Sequence, residues 1–165
     1  MNHSIILLSI FAMTLTSFKI NRTNDVGDAA ADRMAQSIVH ALQHNSLEEY
    51  TTLYPSLTSF YKIMEKNSGY YGNNVGEAKR DFELQYHRQV IPALNQSFHA
   101  IITKGKIVGI DWKTIKLIGI QLEEESSNSY ATIIFTSNNK EYYLKFHKTL
   151  FIDGEWKVTQ YVELV

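Results

Sequence analysis

The hydrophobic period of this 165-residue chain changes once, near Trp112, and that change limits the folds open to it. Before it, apolar residues recur at helical spacing; after it, they alternate. Between Ala29 and Asn45 the apolar positions are Ala31, Met34, Ala35, Ile38, Ala41 and Leu42. They mark one face of a helix, with Asp28 placed to cap it and His40 and His44 turned to water. Ser46-Leu47-Glu48-Glu49 has the form of a capping box, in which Ser46 and Glu49 satisfy each other's backbone amides. It opens a second helix that runs toward Lys66 with a break at Pro55. Asn67-Ser68-Gly69 and Gly72-Asn73-Asn74 then make a flexible loop around Tyr70 and Tyr71. A third helix extends from about Val75 to Lys104, with Gly105 as its stop and Pro92 as its kink. Its stripe of Phe82, Tyr86, Val90, Leu94, Phe98 and Ile101 is widened by Leu84, Ile91 and Ile102, so it is expected to be covered on more than one side.

Beyond Trp112 the alternation predicts strands over 115–123, 130–137, 140–152 and 155–164. Asn138-Asn139 reads as a two-residue type I′ turn, because asparagine tolerates positive φ. That turn sets Phe135 against Tyr142, Ile133 against Leu144 and Ala131 against Phe146, which leaves one face wholly apolar. At Asp153-Gly154 a plain hairpin would mix the faces. A shift of one residue pairs Leu144 with Leu164, Phe146 with Val162, Leu150 with Val158, Ile152 with Trp156 and Lys145 with Glu163. A bulge or odd-length loop is therefore expected there. Bulges bend sheets, so the expected architecture is α+β: three N-terminal helices on a strongly curved, cone-shaped, four-stranded antiparallel meander whose hollow wraps the long helix.

Composition narrows function. The 16 basic and 17 acidic side chains are nearly balanced and no stretch is dense in Lys and Arg, so the footprint of nucleic-acid binding is missing. The run Glu123-Glu124-Glu125 reads as a solvated loop. With no cysteine, disulfides, thiol nucleophiles, thiolate metal sites and an acylated lipoprotein cysteine are excluded. Ten Tyr and eight Phe suggest an interior lined with rings.

Ile5 to Leu15 is an apolar run suited to the core of a secretory signal peptide and too short to span a bilayer comfortably. The expected organisation is a leader at 1–18, a linker at 19–28 and one domain at 29–165, exported to the periplasm or beyond, with no membrane association after cleavage; the rival readings of the apolar run are an uncleaved membrane anchor and a buried N-terminal strand. The remaining residues, about 147, are enough for one self-sufficient core.

The element order and the stretch Phe151-Ile152-Asp153-Gly154-Glu155-Trp156-Lys157-Val158 resemble the nuclear-transport-factor-two-like superfamily, a cystatin-like, cone-shaped α+β group that includes ketosteroid isomerases and polyketide cyclases. The resemblance spans roughly residues 30–165. It implies an apolar pocket on the concave face with a few inward polar groups. That group holds enzymes, binding modules and bacterial immunity proteins, so the fold alone selects no function.

Candidate pocket residues are Tyr86, His87, Trp112, Phe146, Lys148 and Gln160. In the shifted register Lys148 faces Gln160 beside Phe146 and Val162, either lining a pocket or snorkelling at the rim. His87 falls in the apolar arc of the long helix, as a base or as a hydrogen-bonded core residue. Trp112 covers the sheet's edge or lids a pocket, and His147 lies on the outer face opposite Tyr161. His40 and His44 have the i, i+4 spacing that lets two imidazoles share a metal, but no third ligand is apparent and a solvated face is the expectation. No cofactor or metal is expected. The signatures of serine hydrolases, phosphate-cradling loops, dinucleotide binding and EF-hands are absent.

A non-catalytic module that binds a small apolar ligand or a protein partner is the leading expectation, and a toxin-capping immunity role belongs with it. The alternative is a cyclase- or isomerase-type enzyme with His87 as base and Lys148 stabilising an enolate, although the acidic residues supply no interior carboxylate for such chemistry. A homodimer through the convex sheet face, by Tyr130, Ile134, Tyr143, Phe151 and Tyr161, is a third.

Overall fold

The computed structural model describes residues 24–67, 69, 74–125, 128–160 and 162–165. The expected leader, most of the loop around Tyr70 and Tyr71, and Tyr161 lie outside them. The fold is α+β, as expected. Helices α1 (Asn24–Gln43), α2 (Leu47–Thr52), α3 (Leu57–Lys66), α4 (Val75–Gln85) and α5 (Ile91–Ile107) precede an antiparallel sheet. Its strands are β1 (Lys116–Glu125), β2 (Asn128–Ser137), β3 (Lys140–Ile152), β4 (Glu155–Val158) and β5 (Val162–Leu164). The order is β1-β2-β3, with β4 and β5 both paired to β3.

Asp28 lies within α1 rather than capping it, because the helix begins at Asn24. The helix ends in a Schellman motif: Asn45 takes a φ of 51°, Ser46 N–H donates to the Ala41 carbonyl (2.9 Å) and Asn45 N–H to that of Leu42 (3.2 Å). Ser46 thereby closes one helix and caps the next, accepting from Glu49 N–H at 3.2 Å. Only half of the expected capping box forms. The Ser46 amide is already committed, so the Glu49 carboxylate turns instead to His40, at 2.8 Å.

Pro92 neither splits the long helix nor leaves it regular. It has no N–H and its ring crowds the carbonyl four residues back, so the preceding turn, Tyr86–Val90, winds as a π-helix, with Ile91 N–H donating to the Tyr86 carbonyl. Nor is Gly105 the stop. Helix α5 passes through it to Ile107, and Gly109, two residues on, supplies the left-handed turn with a φ of 86° while Ile110 N–H reaches the Gly105 carbonyl at 2.8 Å. Of the long stripe, Phe82, Tyr86, Leu94, Phe98 and Ile101 are buried, but Leu84 is exposed.

The Asn138-Asn139 turn has φ of 52° and 61° and the expected partners across it. The second hairpin differs from expectation. Around Asp153-Gly154 it is a plain two-residue turn that pairs Ile152 with Glu155, Phe151 with Trp156 and Leu150 with Lys157. The shifted register appears further on, at Leu144–Leu164, Lys145–Glu163 and Phe146–Val162. The expected pairs Leu150–Val158 and Ile152–Trp156 do not form. The slip lies in the middle of the sheet. From the Ala131–Phe146–Val162 row to the Ser129–Thr149–Val158 row takes two residues on β2, three on β3 and four between β4 and β5. Each strand carries one residue more than its neighbour, which fans the rows apart and bends the sheet.

The apolar face of α1 supplies the larger share of the helical cover, packing on β1 and β4, while the long helix meets the sheet through α5 on β5. Ala35, Ile38, Ala41 and Leu42 are fully buried against Ile133, Phe135, Leu144 and Phe146 in the main core. The hollow, expected to wrap the long helix, is thus shared with α1. α1 is too apolar on one face to remain outside.

Candidate functional site

Inside the sheet's hollow the rings are packed against one another. Tyr50 meets Phe98 with centroids 5.1 Å apart, Trp112 stacks on Phe135 at 5.8 Å, and Phe135 on Tyr142 at 5.8 Å. Burial raises the pKa of the Tyr50 and Tyr54 hydroxyls, and each finds a partner: Ser97 Oγ at 3.3 Å for Tyr50, the Gln160 carbonyl at 3.2 Å for Tyr54. Among the described residues no carboxylate and no histidine is buried, and the buried polar side chains are Ser137, Lys148 and Thr149.

The six candidate pocket residues are not gathered around one hollow. Phe146 is in the main core. Trp112 is too, with its indole N–H donating to the Ile102 carbonyl at 3.1 Å, so it fastens α5 to the sheet. Tyr86 belongs to a smaller cluster with Phe60, Met64 and Phe82, and its hydroxyl donates to the Pro55 carbonyl at 3.2 Å. His87, next along the π turn, is exposed and meets the Tyr86 ring edge-on. The π turn rotates it away from the apolar arc on which an unbroken 3.6-residue helix would have placed it.

Lys148 and Gln160 stand where the sheet fans. The Lys148 carbonyl accepts from Thr159 N–H at 3.0 Å, so the expected pairing with Gln160 is displaced by one residue. Its side chain is buried, and desolvation holds its pKa below the ordinary lysine range. His147 reaches Glu163 at 3.4 Å on the outer face. An open cleft of ≈ 510 Å³ lies elsewhere, between the α2–α3 corner, Tyr86, Ile91 and the β3–β4 hairpin. Its lysine, Lys157, already donates to the Thr52 carbonyl at 3.0 Å and pairs with Glu155 at 2.8 Å.

The outer face of the sheet carries a feature that periodicity only partly disclosed. Gly119 pairs with Ile134, Ile134 with Tyr143, and Val165 N–H donates to the Tyr143 carbonyl at 2.8 Å. Directly opposed residues share a face, so Ile134, Tyr143 and Val165 form one cross-strand row, with the bulge residue Ile118 beside Gly119 at its end. Ile118 is 54% exposed, Tyr143 37% and Val165 57%. Polar rows flank it, Lys116–Thr136–Glu141 on one side and Gln121–Thr132–Lys145–Glu163 on the other. Phe151, expected on this face, turns inward against Trp156, with centroids 5.4 Å apart, because β3 changes parity at its extra residue.

Comparison with protein-family models, with curated proteins and with solved structures finds no match to the chain.

Proposed function

We propose that this chain is a non-catalytic binding module whose partner, a second copy of itself, docks on the outer sheet face. The observation that carries this reading is the apolar row Ile118–Ile134–Tyr143–Val165, exposed at Ile118, Tyr143 and Val165 and half-buried at Ile134, bounded by charged rows. Its charge pattern is self-complementary. On β3, Glu141 and Lys145 stand two residues to either side of Tyr143, so a twofold axis through the row lays each copy's Glu141 over its partner's Lys145. Pairing through the β1 edge is disfavoured by the bulge at Ile118 and by the exposed Glu123, whose charge blunts an unpaired strand. The ring-filled hollow and the lack of a buried carboxylate or imidazole among the described residues favour binding over isomerase chemistry.

The element order and the bent antiparallel sheet support assigning the fold to the nuclear-transport-factor-two-like group, and the apolar run at 5–15 supports action outside the cytoplasm. Sedimentation of the intact protein and of Tyr143→Glu across a hundredfold concentration range tests the reading. A dimer lost in the variant supports it, and a monomer throughout overturns it. The cleft by Tyr86 favours a second reading, a small ligand held between α3 and the β3–β4 hairpin. Saturable binding of an apolar probe such as a steroid or fatty acid, weakened by Tyr86→Ala, would establish that one instead.

A further inference from the structure

The corner between α1 and α2 assembles a group of ligands drawn from two helices. His40 and His44 lie one turn apart at the end of α1, with ring centroids 4.0 Å apart and planes inclined by 35°. Glu49, in the first turn of α2, is brought back over them by the Schellman turn and freed by the incomplete capping box. One donor atom from each of the three lies within 4.8 Å of the other two.

The hydrogen bonds also set the state of both rings. His44 Nδ1 is 2.9 Å from the His40 carbonyl and His40 Nδ1 is 2.8 Å from Glu49 Oε2. A carbonyl and an ionised carboxylate only accept, so each Nδ1 carries a proton. In the neutral ring that leaves the Nε2 lone pair of each histidine free. Metal-binding histidines have this arrangement: the far nitrogen donates to a carbonyl or carboxylate, which fixes the tautomer and raises the basicity of the near one. The His40 and Glu49 side chains are 58% and 44% exposed, which leaves room for solvent ligands.

We propose that His40 and His44 bind a divalent transition-metal ion through their Nε2 atoms, with Glu49 orienting His40. Paired imidazoles select the borderline ions Zn²⁺, Cu²⁺ and Ni²⁺ over Ca²⁺ and Mg²⁺, which require oxygen cages. Tetrahedral Zn²⁺ with bonds of about 2.0–2.1 Å needs donors about 3.4 Å apart. The ion would clip together the last turn of α1, which the His40–Glu49 hydrogen bond ties to the first turn of α2. This site is independent of the outer sheet face, and neither proposal depends on the other.

Titration calorimetry of the intact protein with ZnCl₂, after treatment with chelator, tests it. The expected result is one equivalent bound per chain. His44→Ala should weaken binding at least about 100-fold and Glu49→Gln about 10-fold, the size of a lost orienting partner. His99→Ala, an exposed histidine on α5, should change nothing. Thermal unfolding with and without Zn²⁺ gives a second readout, with the midpoint raised in the parent and unmoved in His44→Ala. Absence of binding at millimolar Zn²⁺, or binding that His44→Ala leaves intact, overturns the proposal.

Discussion

Gly105 lies so close to the Nε1–Cζ2 side of the Trp112 indole that a Cβ on it would overlap the ring's Cζ2 and stand 2.6 Å from Cε2 and 2.8 Å from Nε1. The helix needs glycine there for contact, not for backbone freedom. Trp112 lies one turn beyond the end of α5 and folds back onto it, donating to the Ile102 carbonyl while its ring stacks on Phe135. Helix, connecting turn and sheet meet at this one ring.

Gly105→Ala should therefore destabilise the protein by about 1–3 kcal/mol, although alanine is the better helix former. Trp112→Ala should cost about 3–5 kcal/mol. The double variant should cost clearly less than the two together, since the added methyl then enters the space left by the ring. Urea unfolding of the four proteins measures the coupling. Strict additivity would show that the two residues do not share one contact.

Lys148 is buried where β3 carries its extra residue, and its pKa is lowered by desolvation. The folded protein holds that proton less readily than the unfolded chain does. The penalty is present in full below the folded-state pKa and fades as pH rises toward the unfolded value near about 10.4. Lys148→Met should raise the unfolding midpoint at pH 7, and the advantage should shrink as pH climbs into the lysine range. An advantage that stays constant to pH 10 would contradict this.

The Asn138-Asn139 turn needs positive φ at both residues. Asn139→Val should cost about 1–2 kcal/mol, the strain of a branched residue in the left-handed region, while Asn139→Gly should be neutral or stabilising. Denaturant midpoints decide it. Asn138 also donates to the Gly109 carbonyl at 3.3 Å, so loss of its amide should loosen the end of α5 as well as the hairpin.

Ile118 and Tyr143 are exposed, so Ile118→Ser and Tyr143→Ser should move monomer stability by no more than about 0.5 kcal/mol. If the outer row joins two copies, the same variants should weaken self-association at least tenfold by sedimentation. Equal association in parent and variants would remove the row from any interface.

Much of the fold was legible in residue spacing. The stripe Ala31, Met34, Ala35, Ile38, Ala41 and Leu42 is the buried face of α1, and the Phe135–Tyr142 register followed from two asparagines. What spacing misplaced were positions at which one backbone group has two competing partners. The Ser46 amide goes to a Schellman turn and not to Glu49, Pro92 shifts the ladder into a π turn, and the slip after Asp153-Gly154 is deferred to Thr159. His87 and Phe151 were put on the wrong side for that reason, and Glu49 was never matched with His40 although it lies only one helical corner away.

The sequence by itself determined the element types, the helix-then-sheet order and which residues must be buried, because these depend on periods of 3.6 and 2 within a single segment. Tertiary structure alone decided where the extra residues in β3 and between β4 and β5 fall, which helix lies on the sheet, and that Ile118, Ile134, Tyr143 and Val165 come into one row. Those outcomes depend on segments distant in sequence packing together, as β5 does on β3 and α1 on β1 and β4. No local preference encodes them until the core has set the register.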